Sequence, residues 1–529
     1  MLKDSYSFEE LKMSSQLVRD LVAESEKVRP FINRFFDFNA IIDQINEKNF
    51  SEEKRKVLYK VLNEQNKDVQ LSVQTKCHIE SLQSENTFTI TTGHQLNLMT
   101  GPLYSIYKAV QVIKIANQLK EIHPTYNFVP VFWMATEDHD FEEISKIHLF
   151  GKAVQWEKEG QENLVTGRIS TAQIEPFLSE IEGFFQDPKA QEVLKNFTDI
   201  YRNTSNLTEA TRQLMNELLG DYGLVILDGD DPELKSFFAE HMILEVENQI
   251  GFETVQKSDE ELESKGYHQQ VFVRECNLFY IHKDGVRERI ALNEDRFEFD
   301  GQSYSKDDLV ELIRKQPAQF SPNALYRPLY QEVILPNLVY VGGGGEIAYW
   351  CQLKAMFEKH NVVFPMLRLR DSAILYNQPQ VDLLNELDIS LFDLKLGVEH
   401  LIKDIAIENA DADLQLTEAE SLLMKSKSAV LEKVYKVNEG LAQMVEAEFA
   451  KMVNSIEKIE SKIIKAEKAK HEKVQKQLVR VRDNFYPENS FQERYDNFLP
   501  YYLKNDQLIK DIYTNLKVEK TPLIQLINI

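Results

Sequence analysis

The chain has 529 residues, with 61 basic and 85 acidic side chains, a net charge of −24, and 43% hydrophobic residues. That length allows roughly two to four domains, and the acidity argues against a nucleic-acid partner, which requires a basic face to displace counterions from phosphates. Three scattered cysteines, Cys77, Cys276 and Cys351, point to a reducing compartment, and with no signal peptide at the start and no membrane-length apolar run a cytoplasmic location without a membrane partner is expected.

Residues 1–85 read as polar helices with apolar positions at helical spacing, such as Val57, Leu58, Val61 and Leu62. A β-branched strand at 87–91 then runs into Gly93-His94-Gln95. Gly101-Pro102 opens an amphipathic helix with Leu103, Ile106, Tyr107, Val110 and Ile113 on one stripe. The apolar run 128–134 has the character of a strand covered on both faces and leads into Glu137-Asp138-His139-Asp140. The same alternation recurs at 224–227, followed by Asp228-Gly229-Asp230-Asp231. It recurs again at 338–341, followed by Gly342 to Gly345, a helix from Glu346 to about Phe357, and a strand at 362–364. Alternating strands and helices predict a doubly wound α/β core with a parallel sheet over 86–380.

Two stretches interrupt that core: a helical insertion at about 151–215, and a β-rich one at about 252–320 with strands at 270–273 and 278–281. Residues 381–529 form a C-terminal helical arm and closing segment. Met452, Ile456, Ile459, Ile463 and Ala466 make a heptad seam, as in a helical hairpin or a dimer interface, and the closing segment from Phe491 is expected to pack back onto the body.

Open α/β sheets bind ligands beyond the carboxyl ends of their strands, and here those ends are polar. Gly93, His94 and Gln95, then Glu137, Asp138, His139 and Asp140, then the aspartates after 227, then Gly343, Gly344, Gly345 and Glu346 would meet at one sheet edge. Carboxylates crowded around a histidine repel one another unless a ligand is near. Their spacing matches no zinc or calcium pattern, so no metal is expected. The glycine run is neither a dinucleotide fingerprint nor a Walker loop, but it lets backbone approach a ligand closely. Met424-Lys425-Ser426-Lys427-Ser428 has the look of a synthetase signature loop, yet no strand precedes it, and it reads as chance.

Taken in order, several segments resemble the bacillithiol biosynthesis cysteine ligases. They are Thr92-Gly93-His94-Gln95, Gly101-Pro102-Leu103-Tyr104-Ser105-Ile106-Tyr107-Lys108, Pro130-Val131-Phe132-Trp133 and Glu137-Asp138-His139-Asp140-Phe141-Glu142-Glu143. Gly266-Tyr267-His268, Arg274-Glu275, Phe320-Ser321-Pro322-Asn323, Arg327-Pro328, Gly345-Glu346-Ile347-Ala348-Tyr349-Trp350 and Gln492-Glu493-Arg494 with Asn497 continue the likeness across nearly the whole chain.

The resemblance implies a core like class I synthetases and nucleotidyl transferases, with two insertions and a C-terminal coiled coil that dimerises. It implies addition of L-cysteine to the amine of glucosaminyl malate, the last step to bacillithiol, with ATP or another nucleotide as co-substrate. In that reading Asp138 and His139 orient the substrate, Asp140 steers His139, and Gly93, His94, Gln95, Gly101 and the helix start at Pro102 hold a phosphate or carboxylate. Trp133, Glu137, Asn323, Arg327 and Gly343 to Glu346 line the rest of the pocket. The chain departs from the family at His94, where glutamine is usual, and at Ser145-Lys146. A second reading is a non-catalytic small-ligand-binding or assembly protein on a synthetase-like core.

Overall fold

Five strands form one parallel sheet: β1 (Thr87–His94), β2 (Asn127–Met134), β3 (Val225–Asp228), β4 (Asn337–Gly342) and β5 (Met366–Leu369). Their order is β5-β4-β1-β2-β3, so the direction of winding reverses between β1 and β4, where such sheets open a crevice. β1 and β2 pair without a break from Thr87↔Asn127 to His94↔Met134. Pairing between β4 and β1 slips between Asn337 and Val339, and the buried Asn337 side chain accepts a hydrogen bond from Thr91 Oγ1 at 2.8 Å. The computed structural model describes every residue except Met1, Lys158, Glu159, Gln161, Glu162, Asp411 and Ala412.

The helix after β1, α1 (Tyr104–Ile122), is the amphipathic one expected, but its burial extends almost all round. One side packs on β1 and β2, and the other is covered by the helix Leu508–Asn515, with Lys114 donating to the Tyr513 carbonyl at 2.6 Å. An all-round buried helix must satisfy its polar side chains internally, and this applies to Lys108 and Gln111.

The first insertion carries helices Glu175–Gly183, Pro188–Asn203 and Leu207–Leu219. The second begins with a helix, Ile250–Ser264, before a three-stranded antiparallel sheet in which Leu278–Ile281 lies between Arg287–Arg289 and Phe320–Pro322. Residues 270–273 are not the expected strand. The Gln352 side chain occupies their backbone instead, accepting from the amides of Gln270 and Val271 at 3.2 Å and donating to the Val271 carbonyl at 3.0 Å. The strand expected at 362–364 begins later, after Pro365, at Met366. The helix expected from Glu346 to Phe357 is two, Gly344–Trp350 and Lys354–Lys359.

Two compact units result: Lys3–Leu375 with Phe491–Ile529, and Tyr376–Ser490 with Leu2. The closing segment thus belongs with the sheet. In it Gln492 completes backbone pairing at Leu375, accepting from its N–H at 2.8 Å and donating to its carbonyl at 2.9 Å. Glu493 grips Arg370 at 2.7 and 2.6 Å.

In the second unit, helices Thr417–Val437 and Ala442–Lys470 pair as a hairpin turning through 438–441, and Glu472–Phe485 follows. Met424 to Ser428 lie inside the first of these helices. Of the heptad seam, Met452, Ile459 and Ile463 are exposed at 47%, 53% and 36%. Among the described residues no helix is long and apolar enough to cross a membrane.

Candidate active site

The ends of β1, β2 and β4 surround one cavity of about 810 Å³. Gly93, His94, Gln95, Trp133, Glu137, Asp138, His139, Asn323, Arg327 and Gly343 to Glu346 all line it. At Gly93 the strands run so close that a Cβ would sit 3.2 Å from the Trp133 carbonyl oxygen. Gln95 ties the two loops together, its Nε2 donating to Asp138 at 2.6 Å and to Glu143 at 2.8 Å. The other Asp138 oxygen accepts from the His139 N–H at 2.7 Å.

Across the crevice, Glu346 is the hub of the β4 end. It accepts from the Gly343 N–H at 2.8 Å, from the Tyr340 hydroxyl at 2.8 Å and from the Lys108 ammonium at 2.7 Å. Burial favours its neutral form, but the Lys108 charge and these donors outweigh that and hold the carboxyl down to about 2. Lys108 also donates to the Gly93 carbonyl, so α1 ties the β1 loop to the β4 helix. Beside it His94 is kept neutral, its pKa lowered to about 3 by burial and then by the neighbouring Lys108 charge. Among the described residues the His94 Nε2 is buried without a hydrogen-bond partner.

The second insertion supplies the wall over His139. Arg287 is buried, donating to Ser321 Oγ at 3.1 Å and to the Pro322 carbonyl at 2.7 Å, with its guanidinium 4.0 Å from the Phe279 ring centroid. Its Nη1 lies 3.0 Å from His139 Nδ1. Arginine can only donate, so His139 Nδ1 accepts and the proton of the neutral ring sits on Nε2. Burial first, and then the Arg287 charge, lower the His139 pKa.

Two expected site residues lie elsewhere. Gly101 forms a tight turn with φ +66°, where a Cβ would meet the Asn97 side chain at 2.6 Å, and Asn497 Nδ2 donates to the Met99 and Gly101 carbonyls at 2.8 and 2.7 Å. Asp140 is exposed and caps the short helix Phe141–Ile144, accepting from the Glu143 N–H at 3.1 Å; the side chain hydrogen-bonded to the His139 ring is Arg287. At the helix start after Pro102 the Leu103 N–H donates to the Asp496 carbonyl at 2.9 Å. α1 turns the side chains of Tyr104 and Lys108 to the cavity instead.

The aspartates after β3 also stand apart. Asp230 pairs with Lys235 at 2.7 Å and with Arg168 at 2.8 Å, while Asp228 accepts from Thr136 and from the Asp230 N–H. Glu137, which does line the cavity, reaches this cluster through Lys235 at 2.7 Å. Asn323 spends its side-chain oxygen on its own turn, accepting from the amides of Leu325 and Tyr326 at 3.0 and 3.1 Å, and its Nδ2 donates to Asn277 Oδ1 at 2.8 Å.

Seven basic side chains line the cavity against four acidic ones, the reverse of the chain's overall balance. Arg274, Arg289 and Arg494 are exposed, and their guanidiniums make no hydrogen bond or ion pair among the described residues, which suits an anionic ligand. Arg274 and Arg494 stand in motifs of the resemblance but were not assigned to the site, and Arg287 and Arg289 carried no motif signal, because all four come from the second insertion and the closing segment. Lys108 carried a signal, being inside the Gly101-to-Lys108 motif. No group of three or more His, Cys, Asp and Glu side chains among the described residues is placed to hold a metal.

The model of the bacillithiol biosynthesis BshC N-terminal Rossmann-like domain matches residues 3–371, and that of the BshC C-terminal coiled-coil domain matches 373–523. A Flavobacterium johnsoniae protein named "Putative cysteine ligase BshC" is 39% identical, covering 98% of this chain and 98% of its own length. Similarly named proteins of Flavobacterium psychrophilum and Cytophaga hutchinsonii are 38% and 35% identical, covering 98% and 97% of this chain and 98% and 96% of their own lengths.

Proposed function

The chain belongs to the bacillithiol biosynthesis BshC family, and from that premise we propose that it is a cytoplasmic ligase joining the carboxyl group of L-cysteine to the amine of glucosaminyl malate, the last step of bacillithiol formation. The observation that carries this reading is the cavity at the sheet's reversal point, basic in a strongly acidic chain. Both substrates bring carboxylates, and a volume of about 810 Å³ is in the range of small-molecule sites.

Amide formation joins the amine nitrogen to the cysteine carboxyl carbon, expels one carboxyl oxygen and releases two of the ammonium's three protons, the third remaining as the amide N–H. Asp138, held at both oxygens by Gln95 and the His139 N–H, is the group that binds the ammonium and takes up its proton. His139 acts as a donor through Nε2, not as a base, because Arg287 occupies Nδ1. Arg274 and Arg327 face the malyl carboxylates. An ATP or other nucleotide co-substrate, when bound, supplies the leaving group for the carboxyl oxygen, and the unpaired Arg289 and Arg494 are the side chains that fit its phosphates. The exposed seam of Met452, Ile459 and Ile463 supports reading the arm as a homodimer interface, since such a patch rarely stays in water.

Purified protein supplied with cysteine and glucosaminyl malate, with and without ATP, should form bacillithiol detectable by mass spectrometry. A deletion strain should accumulate glucosaminyl malate; absence of both results removes the proposal.

A further inference from the structure

Behind the wall that presents Arg274, Asn323 and Arg327, the Glu245 carboxylate is 1% exposed and has no ion-pair partner among the described residues. A buried charge without a counter-ion is costly unless hydrogen bonds replace its water. Glu245 receives them from the Asn277 Nδ2 at 2.7 Å, the Gly251 N–H at 2.8 Å and the Tyr326 hydroxyl. The fit is close: a Cβ at Gly251 would lie 2.6 Å from the Tyr326 ring and 2.8 Å from Asn277 Nδ2.

Burial raises the Glu245 pKa and the three donors work against that rise; ionised, the carboxylate only accepts, and so fixes the direction of every bond leading to it. Asn277 must turn Nδ2 toward Glu245, which leaves its Oδ1 to accept from Asn323 Nδ2 at 2.8 Å. The Asn323 oxygen is thereby aimed at the amides of Leu325 and Tyr326, immediately before Arg327. Asn277 Nδ2 also donates to the Arg274 carbonyl at 2.9 Å. From the other side Tyr326 donates to Glu245, so His360 Nε2 donates to Tyr326 over 3.1 Å, and His241 Nδ1 donates to His360 Nδ1 over 3.2 Å. Two donor chains converge on one buried charge, and between them they set the three pieces of backbone that carry Arg274, Asn323 and Arg327.

We propose that Glu245 is a positioning residue for the arginine-bearing wall of the cavity, acting through Asn277 on the binding of glucosaminyl malate; this rests on the ligase reading above. Glu245→Gln nearly preserves shape but can donate as well as accept, so Asn277 and Asn323 lose their enforced orientation. Its KM for glucosaminyl malate should rise about tenfold while the KM for cysteine and the melting temperature change little. Amides 323–327 should lose hydrogen-exchange protection while those of β1 and β2 keep theirs. The double variant Glu245→Gln with Asn277→Asp returns one buried carboxylate and the donor direction of Asn323 but sets a carboxylate oxygen against the Arg274 carbonyl, so it should recover the protection of amides 323–327 and part of the lost KM, even if the single variant folds poorly. An unchanged KM with unchanged exchange in Glu245→Gln, or no rescue by the double variant, overturns the proposal. If the wild-type protein makes no bacillithiol, the ligase reading falls, and the exchange data alone decide whether Glu245 orders the wall.

Discussion

Lys108 and Glu346 meet 2.7 Å apart across the point where the strand order reverses, the first carried by the helix after β1 and the second by the helix after β4. Lys108 is 1% exposed and Glu346 29%, so neither charge is well hydrated without the other. Lys108→Met leaves the carboxylate facing an apolar stem and frees the Gly93 carbonyl. It should destabilise the protein by about 3 kcal/mol, read as a drop in denaturant midpoint, and abolish bacillithiol formation.

The same pair sets a pH dependence. The Glu346 carboxyl is lowered from 4.5 to about 2 when folded, so the folded state favours its ionised form. Its contribution to stability is complete above about 4.5 and is lost as pH falls toward 2. Glu346→Gln should flatten the acid limb of a stability–pH curve in that window; an unchanged limb means the pair adds nothing.

Asp138→Asn and His139→Ala should stop bacillithiol formation while leaving a folded protein, since both side chains lie in a loop after a buried strand. Glucosaminyl malate should build up in cells carrying either variant. His94→Gln should be nearly silent, because His94 is already neutral, with a pKa of about 3, and glutamine offers equivalent hydrogen-bonding groups.

Arg287→Met removes the donor on His139 Nδ1 and a positive charge that lowers the His139 pKa. Nitrogen-15 NMR should show that pKa moving up toward 6.5 and the proton no longer fixed on Nε2. Activity should fall about tenfold. An unmoved His139 resonance would show that Arg287 does not control the ring.

Light scattering should give about twice 61.6 kDa for the intact protein. Ile459→Asp combined with Ile463→Asp should shift it toward the monomer without unfolding the sheet unit. A monomeric wild type at micromolar concentration removes the dimer reading.

The strands and their polar ends were legible because β-branched and apolar runs are local signals. Where the reading slipped, side chains had replaced backbone partners or charges hid a strand. Gln352 stands in for a strand beside 270–271. β5 contains Arg368, which is buried and paired with Asp371 at 2.8 Å, so its polar letter masks a fully covered strand. The site was half legible for the same reason. His94, Asp138 and Glu346 follow strands directly, but Arg287 and Arg289 reach the cavity from a segment distant in sequence, and no local pattern announces them. Lys108 was passed over because a helix stripe is read as packing, and that rule fails for a helix buried on every side.

The grip of Glu493 on Arg370 and of Asn497 on the Met99 and Gly101 carbonyls also has a meaning in time. All five strands have been synthesised by Leu369, but the chain then lays down the whole helical arm before Glu493 and Asn497 exist. At ribosomal speeds that interval is on the order of ten seconds. Throughout it Arg370 has no Glu493, the turn at Gly101 has no Asn497, and Arg494 is missing from the cavity. The sheet can assemble early on the ribosome; a competent pocket waits for the far end of the message.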